Sequence, residues 1–348
     1  TGYSNIYDHG GGGIADAGGS TFNGITVSAN KVTGGAGGGF FGDCGSVDNI
    51  NNSVISGNST SGTGDYGGGG GVWSYCGTNI SNTTVSGNST AVNGSWAGGG
   101  GLWIDNNSAI TGTTISGNKV TGTGSQAGGG GVYTYDDVAF MNDTISNNTS
   151  SIDGGGVRTL GSYNDSFINV TLYQNTATGN GGSIFNDNAG APYVMIANSI
   201  AAGGKAASGK DVYNTGTIVS NDFNIIGTAA AGGGTFTMQT HDKTTDPKLL
   251  GLGNNGGPTF TNADQPTSPG KGYIPWSSAS SGTCGNQSGI AVDQRAFSRG
   301  AGGKCDVGAY EVGGTPSLVK VHVHAKSSHH ANPTHLRMHR HLHPRPPQ

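Results

Sequence analysis

The chain has 348 residues, of which 69 are glycine and 10% are charged, and its formal net charge is −4. Gly, Asn, Ser and Thr dominate, and because each is a poor helix former, the composition argues against a helical protein. No segment approaches 18 consecutive apolar residues, so no transmembrane helix is predicted. The chain begins at Thr1 without Met or a signal-like stretch, and we interpret it as a mature or trimmed chain.

Two sequence motifs recur at a common spacing. A glycine run meets an apolar residue, the junction residue, at Ile14, Phe40, Val72, Leu102, Val132, Val157 and Ile184. A second motif, typified by TISGN, ends on Asn30, Asn58, Asn88, Asn118, Asn148 and Asn175. The asparagines are 27 to 30 residues apart and the junction residues 25 to 32, and two motifs that share one period indicate a repeat architecture. The glycine runs are therefore periodic structural elements, which argues against both disorder and a phosphate-binding loop.

Each repeat contains short β-branched or aromatic runs that Gly, Asn or Asp separate, which is typical of strands and turns. About 25–30 residues suit one coil of a β-helix, whereas a propeller blade needs about 40–45. The sequence thus predicts an all-β fold, a single-stranded parallel β-helix of eight to nine coils over residues 1–241. Residues 242–312 are predicted to cap an end of this solenoid, and residues 313–348 form a basic, His-rich tail. The Asn residues are expected to stack as a ladder.

The four cysteines suggest two disulfides. Cys44 and Cys76 each lie four residues after a junction residue, so they occupy the same place in consecutive repeats. Stacked strands lie about 4.8 Å apart, which falls within the Cα separation of roughly 4.4–6.8 Å in disulfides. We therefore predict Cys44–Cys76 and Cys284–Cys305, with four free thiols as the alternative. Paired cysteines indicate an oxidising, extracellular or cell-surface setting.

Two C-terminal stretches carry a family resemblance. DPKLLGLGNNGGPTFT (Asp246–Thr261) and VDQRAFSRGAGGKCDVGAYE (Val292–Glu311) resemble bacterial secreted proteins of the choice-of-anchor Q type. The TISGN and GGGI blocks are shared more loosely with polymorphic outer-membrane proteins. The resemblance implies a right-handed parallel β-helix exported to the cell surface or medium, and it implies no reaction.

The chain departs from that family pattern in two places. QPTSPGKGYIP stands where a Gly-Ser-Pro-Ala-Ile-Asp stretch is expected, and a His-rich tail stands where a sorting or anchoring signal is expected. The mode of attachment to a cell is therefore open.

Alternation along a strand places the residue after each junction on the outer face of the coil. A row of exposed aromatic rings marks a contact surface, and we expect it to bind a polysaccharide or another surface protein. The candidate ligand-binding residues are Phe41, Trp73, Tyr75, Trp103, Tyr133, Tyr135 and Phe185. The alternative is that long loops fold over the rings and make them a second core.

The same face offers an enzymatic interpretation. Its candidate catalytic residues come from three consecutive coils: Asp105, Asp136, Asp137 and Arg158. Two carboxyls on neighbouring coils could meet the spacing of about 5–5.5 Å used by retaining glycosidases. A polysaccharide lyase would instead use a basic residue to abstract a proton, with Ca²⁺ held by Asp. The alternative is that these are solvated turn residues and a packing arginine.

The tail differs sharply from the body of the chain. Five of the 16 Lys and Arg residues follow Val312, whereas all 20 Asp and Glu residues precede it. Dense histidine suits a transition metal, and the candidate ligands are His322, His324, His329, His330, His335, His339, His341 and His343. Alternating valines predict a strand over residues 318–325 that could add to an open sheet edge and drive self-assembly. A disordered extension is the alternative.

These observations favour a non-enzymatic extracellular or cell-surface protein, such as an adhesin, a surface-layer component or a filament subunit. A secreted carbohydrate-active enzyme or glycan-binding module is the alternative. The acidic body argues against nucleic-acid binding, and no cofactor is firmly indicated. A predicted threonine column at Thr84, Thr114, Thr144 and Thr171 lacks the second matched column that an ice-binding surface would need.

Overall fold

The computed structural model describes residues 10–161, 164–187, 193–276, 284–285 and 290–317. The predicted strand at 318–325 and the eight tail histidines lie outside these residues. All described residues belong to one compact unit.

Four parallel sheets, here called A to D, build the repeat region, and sheet D is the shortest, with six strands in the described residues. Sheet A contains Ile14–Asp16, Phe40–Gly42, Val72–Ser74, Leu102–Ile104, Val132–Thr134, Val157–Thr159, Ile184–Asn186, Val212–Asn214 and Ala229–Ala231. Sheet B contains Thr21–Asn23, Asp48–Asn51, Thr78–Ser81, Ser108–Thr111, Val138–Met141, Asp165–Ile168, Tyr193–Ala197, Thr217–Ser220 and Thr235–Thr237. Sheet C contains Thr26–Ser28, Val54–Ser56, Thr84–Ser86, Thr114–Ser116, Thr144–Ser146, Thr171–Tyr173, Ile200–Ala202 and Ile225–Ile226. Sheet D contains Lys31–Thr33, Ser59–Gly62, Ser89–Val92, Lys119–Val120, Thr149–Ser150 and Thr176–Ala177.

Successive strands of each sheet come from successive repeats. Trp73 pairs in register with Trp103, and Trp103 with Tyr133, so equivalent residues lie above one another. The predicted parallel β-helix is therefore confirmed, and sheets A and B hold nine strands each.

The core fills the space inside the coils. In one coil, Leu102, Ile110 and Ile115 project inward from sheets A, B and C, and all three are fully buried. Burying a side chain of this size stabilises the fold by about 1.5–3 kcal/mol relative to leaving it exposed. Because every coil repeats this pattern, the core is a continuous apolar column along the axis.

The predicted asparagine ladder forms at the corner between sheets C and D. The Asn118 amide nitrogen donates to Asn148 Oδ1 at 3.0 Å and to the Val85 carbonyl at 3.0 Å. Its Oδ1 accepts both the backbone N–H and the side-chain amide of Asn88, each at 3.0 Å. The same pattern repeats from Asn58 to Asn148, so each of these buried amides satisfies backbone groups that the sheets leave unpaired.

A second polar ladder, which the sequence did not reveal, lies at the corner between sheets B and C. Thr83 Oγ1 accepts the backbone N–H of Ser53 at 3.2 Å, and Asp143 Oδ1 accepts that of Thr113 at 2.8 Å. Different short polar residues take the same role in successive coils, which hides the pattern from a search for one repeated letter.

The glycine run before each junction has three separate steric causes. Gly99 has a φ of 68°, and a Cβ there would lie 2.0 Å from a backbone carbonyl oxygen. A Cβ on Gly100 would lie 2.4 Å from a carbonyl oxygen of the next coil, and one on Gly101 would lie 2.9 Å from the Asn118 side chain. The positive φ therefore explains one glycine, and close stacking of coils against the ladder explains the others.

The described part of the C-terminal segment, residues 242–276, 284–285 and 290–317, lies along the outer face of sheet C instead of capping an end as predicted. Thr144 donates its hydroxyl to Gln294 Oε1 at 2.5 Å, and Gln294 Nε2 donates to Thr114 Oγ1 at 3.0 Å. The Ala309 N–H donates to Thr171 Oγ1 at 3.0 Å. The predicted threonine column is in register, but these three members are buried beneath the chain's own C-terminal segment.

Along this path the segment forms hydrogen bonds with successive members of the threonine column. Its start, at Lys243, pairs with the last strand of sheet C, and the chain then turns along the side. It contains two short antiparallel pairs, Leu249–Gly253 with Thr261–Asp264 and Ile274–Pro275 with Lys304–Cys305, and a 3₁₀ turn at Ala301–Gly303.

A buried ionic network organises this segment. Arg295 contacts Asp293 at 2.6 Å and lies over the Tyr310 ring at 3.8 Å, while Arg299 contacts Glu311 at 3.4 Å. These residues belong to the stretches that carry the family resemblance, and in this structure they hold the segment together.

Both predicted disulfides are present. Cys44 and Cys76 join adjacent coils with a Cα separation of 5.0 Å, and Cys284 and Cys305 join parts of the C-terminal segment at 5.9 Å. No free cysteine is present. Such pairing is typical of proteins that fold in an oxidising compartment.

Replacing Asn118 with Ala should lower the free energy of unfolding by about 2–5 kcal/mol, because several buried hydrogen-bonding groups lose their partners. The matched control is Asn30→Ala at the start of the ladder, where the side chain donates one hydrogen bond, to Asn58. Urea unfolding measures both variants. If both substitutions lower the free energy of unfolding equally, the extra hydrogen bonds of Asn118 do not stabilise the fold, which would contradict the prediction.

Candidate functional site

The predicted aromatic column exists, but it is buried. Phe41, Trp73, Trp103 and Tyr133 stack with ring centroids 4.7, 5.0 and 6.0 Å apart and interplanar angles of 16° or less. Each is at most 5% exposed, so the prediction of an exposed face is wrong for these four residues. Alternation placed them correctly outside the main core, where they form a second apolar cluster.

The loops that join sheets D and A cover this column. The Trp73 indole N–H donates to the Tyr66 carbonyl at 2.8 Å, and that of Trp103 donates to the Trp96 carbonyl at 3.1 Å. Tyr66 and Trp96 stack on each other at 4.8 Å. The indole hydrogen bonds thus tie the loops to the column, and the alternative of a loop-covered second core is the observed one.

Four aromatic side chains on the outside of this cluster are partly exposed, and we call them the aromatic rim: Tyr66, Tyr75, Trp96 and Tyr135. Tyr75 and Tyr135 were predicted, whereas Tyr66 and Trp96 were missed. Aligning the repeats could have found them, because each lies seven residues before a tryptophan of the column.

Tyr66 and Trp96 adopt left-handed backbone conformations, with φ of 56° and 55°. This region costs a residue with a bulky side chain roughly 1–2 kcal/mol, and glycine or asparagine would occupy it more easily. The two aromatic rings are therefore kept at these loop positions against a local energetic cost.

The orientation of the rings limits what the rim can bind. Because Tyr66 and Trp96 stack along the solenoid axis with an interplanar angle of 17°, their facing surfaces cover each other. The Tyr66–Trp96 pair therefore does not present the row of separate flat rings that was expected for a polysaccharide.

Phe185, the remaining predicted ligand-binding residue, is also buried. It lies in the same column of sheet A and stacks with Tyr213 at 5.5 Å. Phe185 thus packs between the later coils of the solenoid, against Tyr213.

Two candidate catalytic carboxyls, those of Asp105 and Asp136, are buried. They lie near a third buried carboxyl, that of Asp165, which was not predicted. Asp105 is 2% exposed, and burial, followed by the charges of Asp136 and Asp165, raises its pKa to about 8. Burial likewise raises the pKa of Asp165 to about 7. Asp165 accepts the Thr134 hydroxyl at 2.5 Å and the Val138 N–H at 2.8 Å, so it serves a corner of the coil.

The remaining candidate catalytic residues, Arg158 and Asp137, lie in different environments. Arg158 is buried in the column of sheet A, where it donates to the Ala127 carbonyl at 2.5 Å and pairs with Asp187. Asp137 is exposed on a turn. The expectation that Arg158 is an accessible catalytic base is therefore wrong, because packing and ion pairing occupy its guanidinium.

No group of three or more His, Cys, Asp or Glu residues in the described ranges is arranged to hold a metal ion. Within the same ranges, no helix is long and apolar enough to cross a membrane. The predicted metal ligands of the tail lie outside the described residues.

Comparisons with known proteins give no identification: no family model, no curated protein and no solved structure matches this chain.

Because several carboxyls are buried, we predict that the protein is more stable in mild acid than at pH 8. The pKa values of Asp105, Asp165, Asp264 and Glu311 are about 8, 7, 7 and 7, in each case raised chiefly by burial. The folded state therefore binds more protons than the unfolded state between about pH 4 and 8, and stability falls as pH rises through that window. From pH 5 to 8 the free energy of unfolding should fall by more than about 2 kcal/mol.

Urea unfolding at several pH values measures this profile. Asp165→Asn should flatten it, and the exposed Asp65→Asn should leave it unchanged. A stability that rises with pH in the wild-type protein would contradict the prediction.

Proposed function

We propose that this protein is a non-enzymatic extracellular β-solenoid that binds a partner through its aromatic rim, as an adhesin, surface-layer component or filament subunit does. The observation that carries the proposal is that Tyr66 and Trp96 stay partly exposed at strained backbone positions. Backbone strain and exposed aromatic groups both concentrate at functional surfaces.

An extracellular setting is supported by the two disulfides. The fold supports a scaffold role, because stacked coils in register form a solenoid whose stability comes from contacts between neighbours. Outer loops can then carry a binding surface without altering the core.

The non-enzymatic reading is supported by the positions of the candidate catalytic groups. Asp105 and Arg158 are buried at 2% and 3% exposure, and Arg158 is engaged by a carbonyl and a carboxylate. A catalytic acid or base must come within hydrogen-bonding distance of its substrate, and these two side chains lie beneath the surface.

The double variant Tyr66→Asn/Trp96→Asn should lose partner binding by about tenfold or more, because aromatic anchors dominate binding surfaces. Asparagine suits the left-handed backbone, and both carbonyls that hold the column remain. Binding of the immobilised protein to pectin, alginate, xylan, cellulose and a panel of extracellular proteins measures the effect. Phe260→Asn is the matched control, since Phe260 is 50% exposed at sheet C, away from the rim. Unchanged binding in the double variant would contradict the proposal.

A second candidate function, a glycoside hydrolase, is favoured by one observation. A carboxyl with a pKa of about 8 beside a second carboxyl is typical of a catalytic general acid. If this function holds, the wild-type protein turns over one of the four polysaccharides and Asp105→Asn lowers the rate by at least about 100-fold. Turnover that survives in Asp105→Asn, or no turnover in the wild type, would exclude Asp105 as the acid.

A further inference from the structure

The last coil of the solenoid has open sheet edges. Because the C-terminal segment runs along sheet C, sheets A and B end on Ala229–Ala231 and Thr235–Thr237, and within the described residues each of these strands pairs on one side only. Ala229 and Ala231 are exposed. An edge strand of this kind offers unpaired backbone groups to any chain that can pair with it.

The hydrogen bonds to the previous coil show which groups of the sheet A edge are free. The Thr228 carbonyl accepts an N–H of that coil at 3.0 Å, and the Gly232 N–H donates to one of its carbonyls at 2.7 Å. Backbone groups alternate in direction along a strand, so Thr228, Ala230 and Gly232 face the previous coil. The N–H and carbonyl groups of Ala229 and Ala231 therefore point to the open side.

This edge lacks the features that normally prevent strand pairing. Natural proteins protect edge strands with charged side chains, proline or a covering element. Residues 223–240 contain no Lys, Arg, Asp, Glu or Pro, and the three alanines of the strand have side chains too small to hinder an approaching chain. Phe236 and Met238, which pack partly buried against the end of the core, add apolar surface at the same end.

The edge is complementary to itself about a two-fold axis through Ala230. If two copies of the strand run antiparallel, Ala229 lies opposite Ala231 of the second copy, and each such pair exchanges two N–H···O=C hydrogen bonds. The two Ala230 Cα atoms then face each other as a non-hydrogen-bonded pair, about 4.5 Å apart. A two-fold dimer uses the same patch on both copies, so every free group of this strand finds its partner in a second copy.

We infer that the protein self-associates through the sheet A edge of its last coil, where Ala229–Ala231 of two copies pair antiparallel about a two-fold axis. The edge carries no charged or bulky side chain that would select a different protein, which favours a second copy as the occupant. The inference goes beyond the proposed function and does not depend on the aromatic rim. A three-residue strand buries less than the roughly 800 Å² per partner of a standard interface, so we expect a reversible dimer that forms at micromolar and higher concentrations.

Sedimentation velocity of the full chain at rising protein concentration tests the inference. Ala230→Lys places two like charges directly opposite each other and should raise the dissociation constant of the dimer about fivefold or more. The matched control is Ala91→Lys, on an exposed alanine of a sheet D strand within the solenoid, which should leave the dimer unchanged. Urea unfolding of both variants checks that the fold is retained.

A second variant tests the backbone hydrogen bonds. Ala231→Pro removes the N–H that points to the open side and leaves the hydrogen bonds to the previous coil in place, as proline does on edge strands. Because the dimer loses two symmetric hydrogen bonds, its dissociation constant should rise about tenfold or more.

Crosslinking tests the two-fold geometry. The native cysteines are all in disulfides, so the thiol introduced by Ala230→Cys can pair only with its copy. A Cα separation of about 4.5 Å falls within the range of roughly 4.4–6.8 Å found in disulfides. Mild oxidation should therefore crosslink Ala230→Cys at least about tenfold faster than the matched Ala91→Cys.

Three outcomes overturn the inference. The first is a wild-type chain that stays monomeric at every concentration. The second is a dimer that Ala230→Lys and Ala91→Lys weaken equally, because association would then arise elsewhere on the surface. The third is a dimer in which Ala230→Cys and Ala91→Cys crosslink at the same rate, which would exclude the two-fold pairing at this edge.

Discussion

Backbone groups at the corners of each coil must find partners in a neighbouring coil, because sheet pairing stops where the chain turns. Asparagine, serine, threonine and aspartate side chains supply these partners. The Asn58-to-Asn175 ladder serves one corner, and residues such as Thr83 and Asp143 serve another. This requirement explains why a chain poor in charge is rich in short polar residues and why glycine must flank the ladder where the coils approach most closely.

The fold could be predicted because this constraint repeats. The spacing of the asparagines gave the coil length, and the place of Cys44 and Cys76 in consecutive repeats gave a disulfide that the structure contains. Alternation separated the main core from the column of Trp73 and Trp103. These three predictions succeeded because equivalent residues of successive repeats lie directly above one another. A constant spacing in the sequence therefore corresponds to a contact in the structure.

The surface could not be predicted in the same way. Whether Trp73 is exposed depends on how a loop seven residues earlier folds back, and Tyr66 secures that loop with a carbonyl rather than with its side chain. The position of residues 242–317 was equally hidden, because no period links Gln294 to Thr114 and Thr144. Contacts between a repeat and a non-repeating segment leave no spacing in the sequence.

The candidate acids illustrate how one residue type can serve opposite purposes in a solenoid. Asp165 lies at a corner and accepts a backbone N–H, so burial raises its pKa without exposing it to a ligand. Asp65 and Asp137 lie on exposed loops and turns, where a partner can reach them. Burial raises the pKa of Asp105 and Asp165 alike, so a search for function by pKa alone would select the inner residues over the outer ones.

The replacement of an aromatic ring by Arg158 shows what the outer column tolerates. Its neighbours Tyr133 and Phe185 keep their register, and the buried charge is offset by Asp187 on the next coil and by Asp153 on the same coil. An unpaired buried charge would cost several kcal/mol, so the arginine and its aspartates depend on one another. Stacking on a ring and pairing with a carboxylate are thus compatible at one coil spacing.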